Sequence, residues 1–394
     1  MPINYQEIYT RIQEIGRGAR ERKKSLDERR AKARELFEVY ASERDVLRAK
    51  VDSAKQADPN LRCAYPLGES LASSHPAAGE AVEATVIAAD GSQINPDRHA
   101  AIQFCLINVG TIQMRLGSGE TPHISTETEL LYGDDLLPNG NPMSDAMVAL
   151  RRDLAERIKV DELSKGIQGL VVSFTDGPIE LWGAKGEDAA AYAEFVQKYV
   201  TILSRLQTRG VIHAGYVDKP SADLVVRLLE IAMADNEQIQ NLREFHPLRG
   251  VSDRWLFGER EHPLLGPGER SAVFGLQSSA EKNYKGALSL QFFYLNVGTD
   301  GHPWQVRVEI PKWVADDETK LNLLHAVLIQ QCRMMGSKPY PYLLHRAHET
   351  AVVKMEEKQQ IEQLLALELR RNNEDVDDGS FKQSAKDLQG RTRM

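Results

Sequence analysis

ATVIAADGS, residues 84–92, runs six apolar or β-branched side chains into a carboxylate, Asp90, and then into a glycine. GLVVSFTDGP, residues 169–178, ends the same way at Asp176 and Gly177. Apolar runs this short, bounded by Gly and Pro, read as strands buried on both faces. Carboxylates at the C-terminal ends of such strands point into the crevice where α/β folds bind ligands, and glycine lets the backbone turn there. If the two strands are neighbours, about 4.8 Å apart, the carboxylates meet. Like charges held together need a cation or a shared proton, and carboxylate oxygens suit magnesium or manganese rather than softer metals. A single Asp-Gly after a strand is usually only a turn; two of them leave turn and ligand site as open readings.

Around these stretches the periodicity predicts a mixed sheet. Strands are expected over residues 82–89, 101–109, 111–116 and 123–131, an antiparallel meander with turn residues between. A helix over 143–165 then leads into the strand at 170–175, a helix over 188–207, a strand over 211–217 and a helix over 221–234. Antiparallel strands followed by strand–helix alternation is the order of an α/β mixed sheet with helices on its faces. Further strands are expected at 272–277, 288–297 and 305–310, then a helix over 318–335 and a long helix from about 342 to 371. Upstream, residues 1–55 read as a charged helical arm of one or two long helices, and residues 56–81, with Pro59, Pro66 and Pro76, as a linker. From residue 372 the polar, charged sequence is expected to be a disordered tail.

Composition narrows the function classes. The chain has 394 residues, 42% hydrophobic and 27% charged, with 28 Gly and 17 Pro, enough apolar content for a real core and far from collagen-like or disordered composition. No apolar run reaches the length of a membrane span and the N-terminus lacks a signal-peptide core, so a soluble, cytoplasmic protein without membrane contact is expected. Cys63, Cys105 and Cys332 are odd in number and far apart, which argues against a disulfide framework or a cysteine zinc site. The net charge of −8 speaks against a surface that coats nucleic acid, yet residues 1–50 carry thirteen Lys or Arg against nine Asp or Glu. A local basic groove stays open.

A second dense segment is PYPYLLHRAH, residues 339–348. Its prolines open a helix, and His345 and His348 lie about a turn apart. Histidine there can bind metal, orient a water or contact a phosphate; the spacing and the lack of a third soft ligand disfavour zinc. Arg307 and Glu309 alternate on one strand face and read first as a structural pair.

Taken together, Ala89-Asp90-Gly-Ser92, Thr175-Asp176-Gly-Pro178, Gly215-Tyr-Val-Asp-Lys219, Arg307-Val-Glu309-Ile-Pro311 and Tyr340-Pro341 with Ala347-His348 resemble the NurA nuclease family over about residues 82–355. The resemblance implies an RNase H-like core and a manganese-dependent nuclease, with magnesium as the second candidate ion. It further implies single-strand endonuclease and 5′-to-3′ exonuclease action, a homodimer, and a hexameric HerA-type ATPase as partner in processing DNA ends, whether in repair or in defence against foreign DNA. Carried over by position, it makes Asp90 and Asp176 metal ligands and Tyr340 and His348 the Tyr and His of the family's C-terminal motif. Glu156 is taken as the third acid, with Asp153 on the same helix as its competitor. Lys219 is a candidate phosphate contact, equally readable as a solvated loop lysine, and Tyr340 a candidate nucleic-acid contact by stacking or hydrogen bonding. The alternative function is a catalytically inactive DNA-binding adaptor of a HerA-type translocase. An ATPase or dinucleotide enzyme is disfavoured, since neither a Gly-x4-Gly-Lys-Ser/Thr loop nor a Gly-x-Gly-x-x-Gly after a strand occurs.

Overall fold

The computed structural model describes residues 4–79, 83–181, 189–259 and 263–374. The tail expected from residue 372 falls, from 375 onward, outside the described residues. The chain divides into two compact units, Met1–Gly79 with Tyr216–Ile329, and Glu80–Gly215 with Gln330–Met394.

The second of these units carries both strand-borne aspartates. Its strands are β1 (Thr85–Ile94), β2 (Phe104–Arg115), β3 (His123–Tyr132), β4 (Val171–Asp176) and, as far as Gly215, β5 (Ile212–Val217), and they lie in the order β3-β2-β1-β4-β5. The ladders β1–β2 and β2–β3 are antiparallel, whereas β4 runs parallel to β1. This is the RNase H-like arrangement the sequence pointed to: a three-strand meander whose first strand receives a parallel neighbour from the α/β part. Val86, Ile87, Ala88 and Ala89 are all wholly buried, as a central strand covered on both faces requires. The edge strand β3 is mostly exposed.

Four helices flank the strands: α1 (Asp145–Leu163), α2 (Ala189–Thr208), α3 (Tyr342–Ala351) and α4 (Met355–Arg371). Helix α1 starts where the Ser144 hydroxyl accepts the Met147 N–H at 3.2 Å, a cap of about 1 kcal/mol. It buries Met147, Val148, Leu150, Leu154 and Val160, but also Glu156, Arg157 and Asp161, which break its apolar stripe.

Three local expectations change. The strands expected over 101–109 and 111–116 are one, Phe104–Arg115, and Gly110 inside it is no turn but a point of close approach: a Cβ there would stand 2.5 Å from Ala347 O and 2.7 Å from Ala351 N. The strand expected over 82–89 likewise continues through Gly91 to Ile94, so Asp90 lies inside β1 and not at a turn. The long C-terminal helix is two helices, α3 and α4. Its break has a tertiary cause, since the Ser92 hydroxyl and the Asn108 amide, at 2.8 Å for the latter, both donate to the Ala351 carbonyl and cap α3.

The first unit opens with helices Tyr5–Arg17, Ala19–Val39 and Arg44–Ala57, three where one or two were expected. The presumed linker contains strands Cys63–Pro66 and Ser74–Pro76, the former paired with Phe274–Gln277. Leu290–Asn296 and Gln305–Pro311 form an antiparallel pair, and Leu290–Asn296 also pairs with Phe274–Gln277. Arg307 and Glu309 make the structural ion pair expected of them, 2.9 Å apart and buried. All three cysteines are buried. Among the described residues no helix is long and apolar enough to cross a membrane.

Candidate functional site

The register of β1 against β4 ends at Ala89 opposite Thr175, so the next residues on the two neighbouring parallel strands are Asp90 and Asp176. Their backbones differ. Asp90 sits within a continuing strand, where its Oδ1 accepts the Gly91 N–H at 2.9 Å. Asp176 ends its strand, and Gly177 turns the chain with φ +83°, a conformation that favours glycine. The turn is pinned from two sides. A Cβ on Gly215 would lie 2.6 Å from Gly177 O, and the Tyr199 hydroxyl donates to Ile179 O at 2.8 Å.

Helix α3 brings the C-terminal motif to these acids. Its His348 places Nδ1 2.7 Å from Asp90 Oδ2. Tyr340, just before the helix, donates its hydroxyl to Asp176 Oδ1 at 3.1 Å. One motif residue thus attends each aspartate. His345 does not join them; it faces Glu349 at 3.4 Å on the helix surface.

Helix α1 carries both candidates for the third acid, Glu156 and Asp153. Glu156 is 3% exposed, and its Oε1 lies so near β1 that a Cβ on Gly91 would stand 2.9 Å away. The missing side chain of Gly91 makes room for Glu156 and for the stem of Arg152, 2.6 Å from the same point. Burial pushes the Glu156 carboxyl well above the usual carboxylate range; Arg157 opposes this, and the charges of Asp153 and Asp90 add to it. Asp153 is more exposed and is held by Arg152 at 2.8 Å. Of the two candidates, Glu156 is the one that shares the surroundings of Asp90.

Arg151, Arg152 and Arg157 flank both acids in the sequence and could pair with either at the surface; the structure buries Arg157. Arg157, buried, holds Glu156 Oε2 at 2.6 Å and donates to Pro178 O at 3.2 Å, so it ties the acid on α1 to the loop after Asp176. Arg152 Nε lies 3.6 Å from Glu156. The Arg-Arg-x-x-x-Glu-Arg string on α1 was the available signal, but periodicity alone does not say which arginines turn inward. Lys219 belongs to the other unit, is exposed and has a left-handed backbone with φ 46°.

As they stand, no three His, Cys, Asp or Glu side chains among the described residues converge closely enough to hold an ion. Asp90, Asp176 and Glu156 nonetheless offer oxygen donors of the kind a hard divalent cation takes, with His348 Nδ1 the nitrogen beside Asp90.

Residues 84–353 match the model of the NurA domain. The chain belongs to the NurA family. No curated protein matches it by sequence. Among solved structures, the NurA nuclease from Sulfolobus solfataricus is similar with a TM-score of 0.51 at 11% identity, covering 93% of this chain and 98% of that one. The catalytic domain of human endonuclease V is similar with a TM-score of 0.30 at 12% identity, over 82% and 98% of the two chains, a likeness too slight to build on. At such identities the likeness to the Sulfolobus NurA concerns the fold, and the residues of this chain must carry the chemistry.

Proposed function

We propose that this NurA-family protein is a metal-dependent deoxyribonuclease that hydrolyses phosphodiester bonds in single-stranded DNA. The observation that carries the reading is the pairing of acids and partners: Asp90 beside Asp176 on adjacent parallel strands, the first bonded to His348 and the second to Tyr340. Asp90, Asp176 and Glu156 would hold a divalent ion, manganese or magnesium. Oxygen-only donors suit such an ion, and the Glu156 carboxyl, pushed up first by burial and further by the charges of Asp153 and Asp90, lies in the field of Asp90. Bound there, the ion would activate water and neutralise the phosphate.

The residues of the chain do the rest. Asp90 fixes the imidazole of His348, which can then move a proton to or from a water or the leaving oxygen. Tyr340 holds Asp176 in place and offers a ring for an unpaired base. Arg157 keeps Glu156 directed at β1. Support for single-strand endonuclease and 5′-to-3′ exonuclease action, for a homodimer, for a HerA-type hexameric ATPase as partner and for a cytoplasmic setting comes from membership of the family.

The reading is tested by incubating purified protein with end-labelled single-stranded DNA and manganese, magnesium or chelator. Cleavage with metal that chelator stops is expected. No cleavage under any metal, with a folded protein that still binds DNA, would leave the inactive adaptor as the better reading.

A further inference from the structure

The first unit carries a cleft of about 830 Å³ whose lining includes Lys23, Arg30, Arg254, Trp255, Trp304 and Gln305. Two cations lie over two aromatic rings: the Arg30 guanidinium is 4.9 Å from the centre of the Trp255 ring, and that of Arg254 is 5.4 Å from Trp304. Trp304 is oriented further by donating Nε1–H to Asp218 at 2.8 Å. Among the described lining residues the one acid, Glu259, is engaged by Arg34. The cleft is therefore cationic and aromatic at once.

Gln305 gives it a polar edge. This side chain is 1% exposed, and among the described residues neither its Oε1 nor its Nε2 has a hydrogen-bond partner. A buried amide left without partners is costly, and one that lines a cleft asks for a ligand offering a donor and an acceptor side by side. Gly258 makes the room for it, since a Cβ there would stand 2.5 Å from Gln305 Cγ.

We propose that this cleft binds an unpaired nucleotide of a single DNA strand. Indole and guanidinium planes stack on a base of any identity. The orphaned amide matches the adjacent donor and acceptor of a base's Watson–Crick edge, which pairing in a duplex hides. Lys23 and the arginines take the phosphate, and the volume is that of a small-ligand site. The base and phosphate are read from the cleft itself; that they belong to a DNA strand rests on the nuclease reading. The cleft would then hold the substrate strand at a place other than the Asp90 centre.

Binding is measured apart from cleavage, in Asp90→Asn protein with chelator, by anisotropy of a labelled single-stranded oligonucleotide. Trp304→Leu and Gln305→Leu should each weaken binding about tenfold, while Trp304→Phe, which keeps a ring, should retain most of it; unlabelled single strand should compete and blunt duplex should not. Unchanged affinity in both Leu variants overturns the proposal. So does equal loss in the Phe and Leu variants, or competition by a deoxymononucleotide from a protein that binds no strand. Cleavage by the unsubstituted protein, assayed in parallel, tests the nuclease reading separately.

Discussion

His348 Nδ1 lies 2.7 Å from Asp90 Oδ2, although 258 residues of chain separate them. The histidine side chain is largely exposed and the aspartate mostly buried, so a solvent-facing imidazole is fixed by an acid of the sheet. If the pair acts as a unit, Asp90→Asn and His348→Ala each reduce metal-dependent cleavage by about a hundredfold or more. The double variant should lose little beyond the worse single one. Single-turnover assays on labelled DNA measure this, and near-normal cleavage by Asp90→Asn would remove Asp90 from the site.

Glu156 and Asp153 separate by burial. Glu156→Gln should abolish cleavage and also cost stability, about 3–5 kcal/mol if the buried Arg157 is left without its ion pair. Asp153→Asn should leave both nearly unchanged, because its pair with Arg152 is half-exposed. Denaturant unfolding and cleavage assays on the two variants decide it; the reverse pattern would move the third acid to Asp153.

Two glycines should respond differently to alanine. In Gly110→Ala the new Cβ meets backbone atoms of α3, which cannot swing aside, so a loss of about 1–3 kcal/mol is expected. In Gly91→Ala the Cβ meets the flexible stem of Arg152 and the carboxylate of Glu156. Stability should change less there while activity falls, a contrast visible by comparing melting temperatures with cleavage rates.

Two buried histidines predict acid sensitivity. Burial lowers His213, which faces the Ser173 hydroxyl at 3.0 Å, to about 3, and lowers His325, against Gly268 O at 2.8 Å, to about 4. The unfolded chain takes up their protons near pH 6.5 and the folded one does not, so this stability is present above pH 6.5 and is lost as pH falls. By pH 5 each would cost about 2 kcal/mol. His213→Asn should flatten the fall of melting temperature between pH 6.5 and 5; an unaltered slope would refute the assignment.

The helix Tyr5–Arg17 buries no residue and exposes Tyr5, Ile8, Tyr9, Ile12 and Ile15. A homodimer would cover part of such an apolar face. Light scattering at micromolar concentration should return a mass near twice the 44.1 kDa of the chain; a monomer mass throughout would count decisively against it.

The sequence by itself determined the strands and the acids they carry. Short unbroken apolar runs such as Val86-Ile87-Ala88-Ala89, closed by an Asp-Gly, fit a buried strand better than a helix, and the order of meander then α/β units leaves few ways to build the sheet. The Tyr340 and His348 positions were legible through the family pattern, and the pairing of Arg307 with Glu309 through period-two alternation. What tertiary structure decided lies wherever a residue answers to a neighbour far along the chain. Gly91 and Gly110 read as turns, the usual meaning of glycine, yet both lie inside the β1–β2 ladder, and they are glycines because Arg152, Glu156 and the α3 backbone come too close for a side chain. The break between α3 and α4 has no Pro or Gly to announce it; Ser92 and Asn108 capture the Ala351 carbonyl from the sheet. Which arginine of α1 turns inward to Glu156 was undetermined for the same reason: helical spacing fixes the direction of a side chain, and only packing says what stands there.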